Sequence, residues 1–286
     1  MRVGTLAGIH RYPVKSMLGE PLQTTRLAEQ GMPGDRAWAI RDELRGAIQG
    51  GKKIPELMSC AARYLEPPDS TPAPAPEITL PGGERFRASA PDAAERIGKA
   101  VGREVTLWPI VPADQLDHYR RAAPDDPDML QELRAIFGRE PDEPLPDLGR
   151  FPPELFAYES PPGTYFDAFP LLIVSEQSLA SLAAAAPAAR IDVRRFRPNL
   201  VVSLPSEEAF PEQAWIGRKL RIGDAQLSIA MECPRCVMTT HGFADLPRDP
   251  GIMRALVKEA GGNLGVYARV EVAGQVETGD ALQLLD

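Results

Sequence analysis

M-E-C-P-R-C-V-M-T-T-H-G, residues Met231–Gly242, carries two of the three cysteines, Cys233 and Cys236, and one of the three histidines, His241. The run before it, L-R-I-G-D-A-Q-L-S-I-A (Leu220–Ala230), alternates apolar and polar residues and is bounded by Gly217 and Gly223. Alternation with a period of two predicts a strand, which delivers the cysteines to a sheet edge or barrel rim. Proline has no N–H to give a ladder. The strand is therefore expected to end at Pro234, with both thiols on the turn that follows.

C-P-R-C alone is compatible with half a zinc site, a dithiol redox pair, one thiolate ligand beside a bystander, or two buried core cysteines. A closed zinc site takes four ligands, and Cys60, His10, His118 and His241 supply no second paired motif. A redox C-x-x-C normally opens a helix after a strand, whereas β-branched residues and methionine follow here. Arg235 beside the thiols favours the thiolate form, which ligates metals. Thr239 and Thr240 add hydroxyls that could donate to oxygen atoms on a metal or substrate, although they also fit plain strand propensity. Cys236 is the candidate ligand of a metal cofactor.

The chain of 286 residues could hold one large domain or two ordinary ones. With 43% hydrophobic and 25% charged residues it has material for a proper core. A net charge of -8 argues against nonspecific nucleic-acid binding while leaving room for a small basic phosphate pocket. There is no apolar run of about eighteen residues, so no membrane span is expected. The N-terminal ten residues read as a strand and not as a signal peptide. Three cysteines are too few for a disulfide framework, and a cytoplasmic, reducing location is expected.

Taken in order, residues 1–110 read mainly as β: strands over Arg2–His10, Pro21–Glu29 and Ala37–Arg41, with Y-P-V-K-S (Tyr12–Ser16) a turn. A hairpin is expected around Gly82 and Gly83, after a Pro-rich loop over Pro67–Pro76. A helix capped by Asp92 should stop near Gly102. Residues 111–165 are acidic and Pro-rich with one helical stretch, Asp128–Phe137. Such an insertion is either the wall of a site or a surface excursion. Beyond it come a buried strand at Leu171–Val174, a helix capped by Ser175 and a strand over F-R-P-N-L-V-V-S. The W-I-G-R-K-L-R-I-G-D hairpin, a helix over Arg248–Ala260 ended by Gly261 and Gly262, and two closing strands complete the chain.

Two loop segments suggest anion binding. On the Lys15–Ser16 turn, backbone N–H groups, an ammonium and a hydroxyl can converge on an oxyanion. Arg36, in G-D-R-A-W, offers a planar fork for the same purpose. Arg197 and Asn199, in F-R-P-N, could read the edge of a heterocycle. Each alone is also compatible with a solvated loop charge, or for Arg197 a bridge to an acid.

Together these segments resemble the MOSC family, the molybdenum-cofactor sulfurase C-terminal domain proteins. The order Y-P-V-K-S, G-D-R-A-W, F-D-A-F-P-L-L, F-R-P-N-L-V-V, C-P-R-C-V-M-T-T and L-G-V-Y-A-R-V runs along nearly the whole chain. In architecture the chain is similar to the amidoxime reducing components and to YcbX-like proteins. The resemblance implies a mainly β fold with some α: an N-terminal β-barrel domain over residues 1–110 and a MOSC β-barrel domain over 111–286. It implies a molybdenum cofactor, Mo-molybdopterin, with Cys236 as protein ligand to molybdenum and as the catalytic position. Lys15, Ser16 and Arg36 match the positions that hold the phosphate end, and Asp167, Arg197, Asn199 and Arg235 those on or beside the pterin. An association with pyridoxal phosphate also comes with the family, and no residue is assigned to it. The activity implied is reduction of N-hydroxylated small molecules with release of water.

The chain departs from the amidoxime reductases at Phe166, Ala168 and Phe169 around the aspartate, at H-G-F-A-D after the threonines, and at I-Q-G-G-K-K-I-P-E-L. These departures bear on the substrate more than on the cofactor. His241 is a further candidate, as a proton donor. No four-cysteine iron–sulfur pattern is present, so a separate electron-donor protein is the expected partner. Two alternatives remain: a sulfur carrier holding a persulfide on Cys236, and a non-catalytic molybdopterin-binding module.

Overall fold

The Ala225–Pro234 strand buries every second residue, and its buried face joins the core of a closed barrel. The computed structural model describes residues 1–69 and 72–285. Seven strands close the barrel in the order Leu200–Ser203, Leu171–Ser175, Asn263–Val272, Ala225–Pro234, Lys219–Ile222, Ala281–Leu285 and Arg2–Arg11, and Arg2–Arg11 then pairs back to Leu200–Ser203. The fold is mainly β with helices added outside the sheets. Closure removes free strand edges and encloses a core that includes Leu6, Ile9, Leu171, Leu200, Leu227, Ile229, Val266 and Leu282.

All the barrel pairings are antiparallel except Leu171–Ser175 with Leu200–Ser203. A parallel pair needs a crossover, and the Glu176–Ala185 helix supplies it. Ser175 caps that helix by accepting from Ser178 N–H, while buried Glu212 accepts from both serine hydroxyls. Gly265, at φ 76°, cannot be larger: a Cβ there would lie 2.5 Å from the Ile173 carbonyl oxygen.

The first strand belongs to this barrel, although the next hundred residues build a second body. Two three-stranded sheets, Ala47–Gln49 with Trp38–Asp42 and Val105–Pro109, and Ala61–Arg63 with Glu77–Thr79 and Arg85–Arg87, stand around their own core. The segment after the first strand joins them: Val14 bridges to Trp38 and Leu18 to Ala61. Lys15 and Ser16 thus sit where the two sheets meet, on the side of the barrel rim.

Several elements differ from expectation in detail. The strand expected over Pro21–Glu29 is broken into Glu20–Leu22 and Thr24–Leu27, the second pairing with Gly274–Glu277 near the C-terminus. The strand in F-R-P-N-L-V-V-S begins only at Leu200, because Arg197 adopts a left-handed conformation at φ 54°. Pro250 delays the last helix to Gly251–Ala260. Asp92 precedes its helix but gives its carboxylate to Arg96 and caps no N–H. Residues 70 and 71 of the expected Pro-rich loop lie outside the described residues. Among the described residues no helix is long and apolar enough to cross a membrane.

Candidate cofactor site

At the rim the two cysteines part. Cys233 lies inside the strand, not on the turn, and is 2% exposed. Pro234 is tolerated after it because the ladder shifts register between Glu232 and Pro234, where a missing N–H breaks no regular pairing. Burial pushes the Cys233 thiol up, and its sulfur accepts from Arg235 Nη1 at 2.9 Å. Cys236 comes after the strand, at the head of a short helical turn over Val237–Thr240, and remains partly accessible. Lys52, Arg139 and Arg235 all lie within electrostatic reach of its sulfur.

The two threonine hydroxyls do not face a ligand. Thr239 donates to the Cys236 carbonyl at 3.1 Å and Thr240 to the Val237 carbonyl at 2.7 Å, and both residues are buried. The Cys236 carbonyl also accepts from Thr239 N–H at 3.2 Å, so the hydroxyls bond back into the turn itself. His241 follows with its Nε2 buried and unpartnered. Burial, then Arg248, pushes its pKa down, so at neutral pH the ring lacks the extra proton of a donor imidazolium.

Fully buried Arg195 shapes this turn from below. It donates to the carbonyls of Arg190, Thr239, His241 and Pro247, at 2.7 to 3.3 Å. Sequence reading passed over Arg195 in favour of its neighbour Arg197, because nothing in R-R-F-R-P-N says which arginine turns inward.

The predicted binding residues converge from both bodies. Lys15 Nζ donates to Asp167 Oδ1 at 3.0 Å, to the Tyr165 carbonyl at 2.9 Å and to Ser160 Oγ at 3.3 Å. Ser16 Oγ accepts from Gly51 N–H at 2.8 Å, which leaves the hydroxyl proton free to donate. Arg36 pairs with Asp35 and reaches Asn199 Oδ1 at 3.4 Å and the Arg197 carbonyl at 3.3 Å. Arg197 donates through Nη1 to the Met17 carbonyl, while Nη2 is buried with no partner. Burial and then Arg36 push the Arg197 pKa down to about 10. Arg235 donates to the Phe196 carbonyl at 2.8 Å and leaves its buried Nε unfilled. Asn199 is committed to backbone, accepting from Leu172 N–H at 3.2 Å and donating to the His10 carbonyl at 3.4 Å.

Asp167 is the accessible member. Its neighbours Phe166, Ala168 and Phe169 are all buried, yet its own side chain keeps 46% exposure. It stands among cations, Lys15 at 3.0 Å and Lys52 at 3.8 Å. Burial opposes its charge, but Lys15, Lys52 and Arg36 overcome that and hold the carboxyl well below the usual carboxylate range. Lys52 was not predicted; its signal was the I-Q-G-G-K-K departure. Tyr12 was quoted only as part of a turn, but its ring is buried between the bodies and close to both Arg36 and Arg197.

Backbone strain marks the same residues. The described non-glycine residues with positive φ are Ser16, Arg36, Arg197, Phe210 and Ala244, and the first three are predicted site residues. Strain of this kind persists where surrounding structure enforces it, as at binding sites. The 111–165 insertion forms one wall: Ser160 and Tyr165 hold Lys15, and Gly138, which ends the Met129–Phe137 helix, packs on Val237.

Among the described residues no three of His, Cys, Asp and Glu gather as a metal site. A metal on Cys236 would take its other ligands from a cofactor. The residues fit one. Unfilled buried donors on Arg197 and Arg235 are costly unless a ligand supplies acceptors, and five cations, Lys15, Lys52, Arg36, Arg197 and Arg235, stand against the acids Asp35, Asp167 and Glu159.

The MOSC domain matches residues 162–283 and the MOSC N-terminal beta barrel domain residues 3–106. Mitochondrial amidoxime reducing component 2 of Rattus norvegicus is 27% identical over 98% of this chain and 82% of its own length. Mitochondrial amidoxime-reducing component 1 of Homo sapiens is 27% identical over 88% of this chain and 69% of its own. A molybdenum cofactor sulfurase of Oryza sativa is 25% identical over 82% of this chain, which spans 28% of that protein. Among solved structures, the YUAD protein of Bacillus subtilis aligns over 99% of this chain and 95% of its own, at 14% identity and a TM-score of 0.44. With both of its characteristic domains matched in order, the chain belongs to the MOSC-domain family.

Proposed function

We propose that this chain is a molybdenum-cofactor-dependent oxidoreductase that reduces N-hydroxylated compounds. One observation carries the reading: a single accessible thiol, Cys236, stands on a barrel rim beside buried guanidinium donors that have no acceptor among the described residues. A pterin edge and a phosphate supply such acceptors, and a soft thiolate suits molybdenum. Cys236 would hold the metal. Lys15, Ser16 and Arg36 would hold the phosphate end, with Arg197, Asn199, Arg235 and Asp167 at or beside the pterin. When bound, the cofactor supplies two-electron reducing power.

The chain's own residues do the rest. Arg197 and Arg235 fix the heterocycle, and the insertion wall limits water. Asp167 stays ionised and so does not serve as the acid. In balance, an N–OH group takes two electrons and two protons, its N–O bond breaks, and N–H and water leave. The electrons come from a separate donor protein. The names of the relatives, amidoxime reducing components, support this choice of substrate. Three free cysteines fit a reducing compartment such as the cytoplasm.

The test is molybdenum and pterin content of the wild type and Cys236→Ser, expressed with ample molybdate, followed by benzamidoxime turnover with reduced methyl viologen. Near-stoichiometric molybdenum lost in the variant, with turnover in the wild type, is expected. No molybdenum or pterin in either would overturn the reading, and a persulfide on Cys236 would then indicate a sulfur carrier. Molybdenum without turnover would indicate a non-catalytic cofactor module.

A further inference from the structure

Two adjacent lysines leave the turn at Gly50–Gly51 in different directions. Lys53 is consumed by the wall, with Asp125 and Glu132 each at 2.6 Å. Lys52 turns toward Asp167, and its side chain is 33% exposed. Its nearest acid is Asp167, at 3.8 Å from Oδ1, which is an ion pair but beyond hydrogen-bond range. That same oxygen already accepts from Lys15 at 3.0 Å. One carboxylate oxygen therefore serves two ammonium groups. Lys52 makes no hydrogen bond to any described residue, so its three N–H donors are open.

The contrast with Lys15 separates the two roles. Lys15 has three acceptors and 10% side-chain exposure, so it is already engaged within the chain and would have to exchange one of them to hold the cofactor's phosphate. Lys52 is accessible, unfilled and within electrostatic reach of the Cys236 sulfur. The turn that presents it is rigid: Gly51 N–H is held by Ser16 Oγ at 2.8 Å, and the Gly50 carbonyl accepts from Lys53 and Ile54 N–H at 2.9 Å. A molecule bound at Cys236 would lie within electrostatic reach of this ammonium.

We infer that Lys52 is a specificity-determining residue and that it selects N-hydroxylated compounds carrying a carboxylate. The inference rests on the reductase reading for its N–O group, and on Lys52 alone for the carboxylate. A plain amidoxime is neutral near pH 7 and makes no charge-assisted bond to the ammonium. A carboxylate in the same molecule takes the open N–H donors. A charge-assisted hydrogen bond to a partly buried ammonium gives roughly 10- to 100-fold discrimination.

The test uses the full chain purified from cells supplied with molybdate, as wild type, Lys52→Gln and Lys52→Arg. Calorimetry compares 4-carbamoylbenzoate, which cannot be reduced, with neutral benzamide. Kinetics compare 4-carboxybenzamidoxime with benzamidoxime. The expected result is a 10- to 100-fold preference for the anion in both assays, carried by KM, lost in Lys52→Gln and restored in Lys52→Arg. Equal affinities in the wild type, no binding of the anion, or a preference that survives Lys52→Gln would overturn the inference. If neither amidoxime is reduced while anion binding still follows Lys52, the reductase reading falls and the selection of anions stands. If both amidoximes are reduced equally well, the reductase reading stands and this inference falls.

Discussion

The guanidinium of Arg197 lies 4.2 Å from the centre of the Tyr12 ring, and the Tyr12 hydroxyl donates to the neighbouring Pro198 carbonyl at 3.1 Å. One residue follows the first strand; the other precedes a barrel strand nearly two hundred positions later. The contact holds the left-handed Arg197 with its Nη2 buried and unpartnered. Tyr12→Phe keeps the ring and loses one hydrogen bond, about 1 kcal/mol, with cofactor content unchanged. Tyr12→Ala also empties a buried site, at roughly 3–5 kcal/mol, and lowers molybdenum content. Thermal melts and metal analysis of the two variants check this.

Arg195 is fully buried and gives its donors only to backbone carbonyls, those of Arg190, Thr239, His241 and Pro247. Arg195→Ala leaves them without donors, a loss of roughly 3–5 kcal/mol by analogy with other broken buried networks. A fall in melting temperature on the order of 10 °C is expected. Arg195→Lys should recover only part of it, because one ammonium cannot span four carbonyls. An unchanged melting temperature in Arg195→Ala would contradict the clamp.

The three thiols differ in reach. Burial pushes Cys60 up to about 11 and also raises Cys233, whereas Cys236 is the accessible one. At pH 8, iodoacetamide should label only Cys236 in cofactor-free protein and all three thiols in urea. Protein loaded with molybdenum should resist labelling until it is unfolded. Mass spectrometry reads each case, and rapid native labelling of Cys233 would show that the strand does not protect it.

Stability should fall on acidification from about pH 6.5. Burial lowers the pKa of His10, His118 and His241, with nearby arginines adding to the shift in the last two. A base whose folded pKa lies below its unfolded value takes up protons first in the unfolded chain, so stability drops as pH falls through the unfolded value. At lower pH Asp167, Asp125 and Asp192, all held below the ordinary carboxylate range, add to the loss as they protonate. Melting temperatures between pH 7.5 and 4.5 test the sign. A flat or rising profile on acidification would contradict it.

The local structure was legible in the sequence wherever it depends on local rules. Alternation fixed the face of the Ala225–Pro234 strand, Ser175 and Gly261 marked helix ends, and the motifs singled out Arg36 and Arg197, which the fold brings to the same Tyr12 ring. What sequence could not decide is which of several like residues turns inward. Arg195 and Arg197 are two positions apart, and Lys52 and Lys53 are adjacent. Their roles differ only because backbone carbonyls surround one arginine and two carboxylates capture one lysine. Barrel closure is likewise tertiary: the first strand pairs with strands from the far end of the chain, a long-range contact that no local period encodes. Local propensity is set by neighbours a few residues away. Burial, charge balance and the direction of a side chain are set by whatever the folded chain brings beside it.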